Sequence, residues 1–245
     1  MTSQNLHDEL LFYQGNQNLQ GQTDVIVLPE MFSTGFSMSA VGAEIAAGPT
    51  VQWMKLQAAR LQVLLIGSLK IKESGQFFNR LLAVHSTGKI DSYDKRHLFR
   101  MGHEDEFYTA GNSACLISYK SWSIAPFICY DLRFPVWSRN VDLKYDLAIY
   151  VANWPAARTH AWSSLLRARA IENLAYVVGV NRVGVDGNNL EYSGASSIVS
   201  FKGEDLLPLT SHVSIQTQTL SFQALKDFRE KFPAHLDADD FSISI

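Results

Sequence analysis

Four short apolar runs in this chain each stop abruptly on side chains that a buried strand does not need. Asp24 to Glu30 reads DVIVLPE, and Ser123 to Pro135 reads SIAPFICYDLRFP. Leu81 to Val84 leads through a Thr87-Gly88 turn into SYDKRHLF, and Asp146 to Ala152 ends in Asn153, Trp154 and Pro155. Runs of this length, bounded by turn residues, read as strands buried in a sheet. Each therefore carries chemistry to the place where a strand leaves the core: Glu30, Lys95, Cys129 and the Asn153-Trp154 pair.

Helical patterns lie between them. Pro49 opens a helix whose apolar face is Val51, Met54, Ala58 and Leu61, with proline at a tolerated first-turn position. Val63 to Leu69 and Phe77 to His85 follow as strands around a Glu73-Ser74-Gly75 turn. His160 to Leu174 gives a second helix, with Trp162, Leu165, Leu166, Ala170 and Leu174 in one stripe, while Arg169 and Glu172, three apart elsewhere on it, could pair on the surface. Strand, helix, strand is the rhythm of an α/β fold. Tyr176 to Val180, Ala195 to Phe201 and Val213 to Leu220 read as further strands, and Phe222 to Phe228 as a short helix stopped by Pro233.

Cleavage of a carbon–nitrogen bond such as an amide needs a nucleophile, a proton carrier and something to hold the negative charge that builds on the substrate, and a thiol, a carboxylate and an ammonium could supply one each. Cys129 supplies a nucleophile once its thiolate is favoured by a nearby cation or a helix start. Glu30 can carry a proton, and Lys95 with the Tyr130 N–H can hold the developing oxyanion. Two other readings stay open at this point. A lone Cys is often a small core residue, and His97, His103 and His160 lie close enough in sequence for a thiol–histidine arrangement. Arg133, four residues past the cysteine, fits either a substrate carboxylate or an internal pair with Asp131.

The segments LPEMF, YDKRHLF and CYDLRFP, in this order, resemble the three catalytic segments of the nitrilase superfamily of carbon-nitrogen hydrolases. YVANWP, RARAIEN, NRVGVDGN and REKFP extend the resemblance over nearly everything from Asp24 onward, and these segments look most like bacterial omega-amidases. The resemblance implies a four-layer αββα sandwich in one domain spanning residues 1–245, with catalysis by Glu30, Lys95 and Cys129 through a thioester. It implies a second pocket glutamate at Glu104, seven residues before Gly111, where charge alone reads as a solvated acidic loop with Asp105 and Glu106. It also gives Glu172 a structural role, lets Phe36 and Trp154 line the pocket with Tyr130 and Arg133, and puts Phe36 where some relatives carry a tyrosine.

The implied reaction releases ammonia from short dicarboxylate monoamides such as 2-oxoglutaramate or 2-oxosuccinamate. Other amidases or N-carbamoyl hydrolases of the superfamily are the alternatives, with a catalytically impaired binding module as a third. That last alternative arises because only LLFYQGNQNLQGQT separates a polar start from Asp24, so the first βα unit reads as shortened.

With 245 residues, 47% of them hydrophobic, and a net charge of −3, the chain can bury one core and has no basic stripe for nucleic acid. No apolar stretch reaches the roughly 18 residues of a membrane span, and the start lacks a signal peptide's apolar core, so the cytoplasm is expected. Neither a metal nor an organic cofactor is expected, because no Cys or His pair has ligand spacing. The two cysteines, Cys115 and Cys129, are expected as free thiols. A homodimer is expected, with the acidic tail within 222–245 packing on the partner subunit.

Overall fold

The computed structural model describes residues 21–39, 41–207 and 209–243. The stretch read as a shortened first βα unit falls largely outside the described residues. The chain forms two compact units, Met1–Ser113 and Ala114–Ile245.

In the first unit, β1 (Val25–Val27) pairs in parallel with β2 (Leu64–Glu73), and the connection between them carries helix α1 (Pro49–Leu61). β3 (Gln76–Val84) and β4 (Ile90–Asp94) continue the sheet antiparallel, in the order β1-β2-β3-β4. The four residues expected on the inner face of α1, Val51, Met54, Ala58 and Leu61, are the buried ones. They pack on Leu65, Leu69, Leu82 and Val84 of β2 and β3, which is why the helix lies along this sheet. The tight link between β2 and β3 puts Ser74 and Gly75 at φ 49° and 80°, in the left-handed region a two-residue hairpin turn requires.

In the second unit, β6 (Trp122–Ile128), β7 (Leu147–Ala152) and β8 (Tyr176–Asn181) run parallel. β5 (Ile117–Tyr119) and β11 (Ser197–Val199) add antiparallel edges, and β9 (Val183–Val185) pairs with β10 (Glu191–Ser193) as a separate ribbon. Helix α3 (Thr159–Asn173) makes the crossover from β7 to β8; α2 is the single turn Glu104–Phe107 of the first unit. α3 lies so close to β8 that a Cβ on Gly179 would come within 2.5 Å of Leu166 and 2.8 Å of Trp162, so only glycine permits this packing.

Helix α4 (Phe222–Lys231) starts on the Ser221 hydroxyl, which accepts the Ala224 N–H at 3.1 Å. Arg229 then locks it to its own unit, donating to Asp146 Oδ1 at 2.7 Å, Leu174 O at 2.9 Å and Tyr145 O at 2.8 Å. Beyond it, Phe232, Leu236 and Phe241 are exposed.

One expectation fails here. Val213 to Leu220 forms no strand: its alternation carries Gln, Ser and Thr instead of an apolar face, and the segment is largely exposed and enters no sheet among the described residues. Arg169, which could have paired with Glu172 in solvent, is 4% exposed, because the face of α3 that packs inward is wider than the apolar stripe.

Candidate active site

Glu30 follows β1 and is 1% exposed. The chain turns sharply behind it, with Met31 at φ 44°, and the Met31 N–H is held by Ser68 Oγ of β2 at 2.9 Å. Lys95 follows β4 directly and is equally buried. Gly111 crosses behind it, donating its N–H to Lys95 O at 2.9 Å, and a Cβ there would lie 2.2 Å from Asp94 O. Glu104 opens α2 and is fully buried, whereas its neighbours Asp105 and Glu106 are exposed. The acidic segment is thus split between solvent and interior, and the pocket reading of Glu104 fits the burial while the loop reading fits only its neighbours.

These three side chains meet within the first unit. Lys95 Nζ donates to Glu30 Oε1 at 3.0 Å and to Glu104 Oε1 and Oε2 at 3.0 and 2.9 Å. Glu104 Oε2 also accepts the Phe99 N–H at 2.7 Å. The Lys95 ammonium lies 5.3 Å from the centre of the Phe36 ring, within cation–π reach. Two buried carboxylates thus share one ammonium. Burial pushes the Glu104 carboxyl above the ordinary carboxylate range; the Lys95 charge opposes that shift and the Glu30 charge adds to it. Burial first, and then the same two carboxylates, hold the nearby Tyr108 phenol above its ordinary value.

Removing an ion from water costs several kcal/mol even after relaxation, so a cluster of this kind is a poor source of stability. Its side chains are held where charge and protons can be moved, and that is where perturbed carboxylates concentrate.

In the second unit, Cys129 begins the 3-10 turn Cys129–Arg133 directly after β6. Its φ of 44° puts a non-glycine residue in the left-handed region, a strain of about 1–2 kcal/mol. The turn is fixed from both ends. The fully buried Asp131 accepts the Ile128 N–H at 3.0 Å, and Leu132 O accepts from Arg169 Nη2 at 2.7 Å. Arg169 also donates to Glu172 Oε1 at 2.9 Å, and Glu172 O accepts from Arg139 at 2.6 Å, so the Arg169–Glu172 pair braces the Cys129–Arg133 turn from α3. The structural role expected of Glu172 is therefore exercised through Arg169.

Arg133 is exposed, with its guanidinium 4.9 Å from the centre of the Trp154 ring. Trp154 is buried and tied down, its N–H held by Asn181 Oδ1 at 2.7 Å and its indole N–H by Arg158 O at 2.8 Å. Tyr130 stacks edge-on against Phe134 at 5.1 Å. Two of the histidines weighed for a thiol pair, His103 and His160, are exposed, and His103 bonds Glu106.

The structure thus gathers Glu30, Lys95, Glu104 and Phe36 in one unit, and Cys129, Tyr130, Arg133 and Trp154 on neighbouring strand ends of the other. Sequence reasoning missed Asn79 and Ser68, which bond into the first cluster, and Arg169. The sequence signal for the first two is weak: Ser68 and Asn79 share their strands with other polar residues, Lys70 in β2 and Arg80 in β3. No group of three or more His, Cys, Asp or Glu among the described residues is arranged to hold a metal ion, and no helix of the described residues is long and apolar enough to cross a membrane.

The family model described as carbon-nitrogen hydrolase matches residues 3–229. Omega-amidase YafV of Escherichia coli (strain K12) is 48% identical over 231 residues, covering 93% of this chain and 90% of that protein. The 2-oxoglutaramate amidase of Bacillus subtilis (strain 168) is 30% identical over 219 residues, covering 87% and 84%. Among solved structures, XC1258 from Xanthomonas campestris, a CN-hydrolase superfamily protein with an arsenic adduct in its active site, aligns with a TM-score of 0.94 at 44% identity, covering 99% of this chain and 94% of that one. Its α/β fold is therefore the one its motifs led us to expect, and the chain belongs to the carbon-nitrogen hydrolases of the nitrilase superfamily, enzymes that cleave amides.

Proposed function

We propose that this hydrolase is an omega-amidase acting on short dicarboxylate monoamides, 2-oxoglutaramate and 2-oxosuccinamate, with Cys129, Glu30 and Lys95 as its catalytic residues and Glu104 holding Lys95. The observation that carries the reading is the buried ammonium of Lys95 bonded within 3.0 Å to both Glu30 and Glu104. A carboxylate and a cation are kept ready out of water, as acyl transfer needs.

In this mechanism Glu30 takes the Cys129 proton as the sulfur attacks the amide carbon. Lys95 and the Tyr130 N–H stabilise the oxyanion of the tetrahedral intermediate. Its collapse breaks the C–N bond, and the Glu30 proton leaves with ammonia. Glu30 then draws a proton from water, the hydroxyl adds to the thioester, and the C–S bond breaks. The acid is released and the proton returns to sulfur.

Arg133 supplies substrate choice. Its exposed guanidinium, 4.9 Å from the centre of the Trp154 ring, has the shape to fork a carboxylate at the far end of the substrate. The likeness to proteins named for omega-amidase and 2-oxoglutaramate amidase activity supports the same substrates. We place the enzyme in the cytoplasm, with its two units working as one domain and no nucleic acid as partner. The exposed Phe232, Leu236 and Phe241 support a tail that meets the other subunit of a homodimer.

The test is ammonia release from 2-oxoglutaramate and from carboxylate-free amides of equal length. The wild type is expected to favour the acid, and Arg133→Ala to raise its KM by about 10- to 100-fold, the worth of a charge-assisted pair, while sparing the neutral amide. Equal turnover with and without the carboxylate would overturn the Arg133 assignment and favour a general amidase of the superfamily.

A further inference from the structure

Asn79 sits in the middle of β3, fully buried, in a run that otherwise reads FFNRLLAV. Its amide nitrogen donates to Glu30 Oε1 at 2.8 Å and to Glu104 Oε1 at 3.2 Å. Each of its two N–H groups therefore meets one of the carboxylates that also hold Lys95. Its orientation is fixed from β2, where the fully buried Ser68 hydroxyl donates to Asn79 Oδ1 at 2.9 Å. The same hydroxyl accepts the Met31 N–H, so one serine sets both the amide and the turn just after Glu30. The backbone takes part as well, since Asn79 O accepts the Lys95 N–H at 3.0 Å.

We propose that Asn79, with its amide held by Ser68, is a positioning residue that holds the Glu30 and Glu104 carboxylates at the Lys95 ammonium, with Glu30 placed to accept a proton. The inference rests on the reading of Glu30 as the proton carrier. A buried asparagine that only filled space would not need its amide nitrogen turned to two carboxylates. The opposite flip would turn the Oδ1 acceptor toward two carboxylates, whereas in this orientation Oδ1 accepts from the Ser68 hydroxyl. An N–H donor favours the charged form of a carboxylate, and without these donors Glu30 and Glu104 would repel each other across a single ammonium. Among the described residues, the charged and titratable groups that act on Glu30 include Lys95 beyond β4, Glu104 in α2 and Tyr108 just past it.

The experiment is the pH profile of kcat/KM for wild type, Asn79→Ala, Ser68→Ala and Ser68→Thr, on whichever amide the wild type turns over. Asn79→Ala is expected to move the acidic limb up by about one pH unit and to lower kcat far more than it changes KM. Ser68→Ala should move the limb the same way by less, and Ser68→Thr, which keeps the hydroxyl, should leave it in place. A general loss of stability would lower the amount of active enzyme without moving the limb. If Asn79→Ala fails to fold, Ser68→Ala alone decides: an unmoved limb overturns the proposal. Glu30→Gln separates this inference from its foundation. Retained activity there defeats the reading of Glu30, whereas an inactive Glu30→Gln beside unmoved limbs defeats only the role of Asn79.

Discussion

Cys129→Ala is expected to abolish ammonia release, by about 10⁴-fold or more, while leaving the fold intact. A lost nucleophile cannot be replaced by its partners, and in enzymes of this kind removing it costs about as much as removing the whole constellation. The fold should survive because the change deletes one partly exposed sulfur and no core volume. The left-handed φ of Cys129 remains as a strain in the alanine variant, so a stability change of under about 1 kcal/mol is expected. Cys115→Ala is the matched control, since Cys115 is also a partly exposed free cysteine and has no catalytic role here. Its turnover should stay at the wild-type level. Ammonia release by both variants, with urea unfolding midpoints, checks the pair.

Glu30→Gln is the second large effect, an expected loss of about 10²- to 10⁴-fold in kcat from removing the proton carrier. The cluster geometry explains why this variant is cleaner than one at Lys95. With glutamine at 30, Lys95 keeps its two contacts to Glu104, and a buried group of two carboxylates and one ammonium becomes one balanced pair. Lys95→Met instead strands Glu30 and Glu104 with no counter-ion, a change that typically costs about 3–5 kcal/mol and mixes unfolding with lost chemistry. Steady-state kinetics on Glu30→Gln, read beside its unfolding midpoint, should show lost turnover without lost stability.

Much of the framework was legible in the sequence because strand runs and helix stripes are local patterns. The inner face of α1 is legible residue by residue, and the Glu73-Ser74-Gly75 turn is legible from its composition between two strand runs, with Ser74 and Gly75 both at positive φ in the structure. Glu30 and Cys129 stand out because each breaks an apolar pattern at a strand exit, whereas Lys95 leaves β4, whose polar IDSYD carries no apolar run to mark it as a strand. What failed was whatever depends on the neighbour across space. Val213 to Leu220 alternates as a strand would, yet alternation of Thr, Ser and Gln with isolated valine and isoleucine gives no face worth burying. Arg169 and Glu172, three apart on a helix, look the same from sequence whether their pair faces water or, as here, braces the Leu132 carbonyl. Glu104 was separable from Asp105 and Glu106 only by resemblance, because a charge count cannot say which of three acids turns inward. Asn79 and Ser68 were passed over because single polar residues in strands are common, and their meaning appears only when their partners are seen to be Glu30 and Glu104.

The account stands or falls on whether the sulfur at 129 is served by the carboxylate at 30, and the rate of iodoacetamide labelling at Cys129 across about pH 5 to 9 reads this without any choice of substrate. The wild type should label fast near neutral pH, well below the roughly 8.5 of a free thiol, and Glu30→Gln should visibly shift that profile. If Cys129 labels no faster than Cys115, with a midpoint near that of a free thiol and no response to Glu30→Gln, the proposed catalytic assembly is wrong.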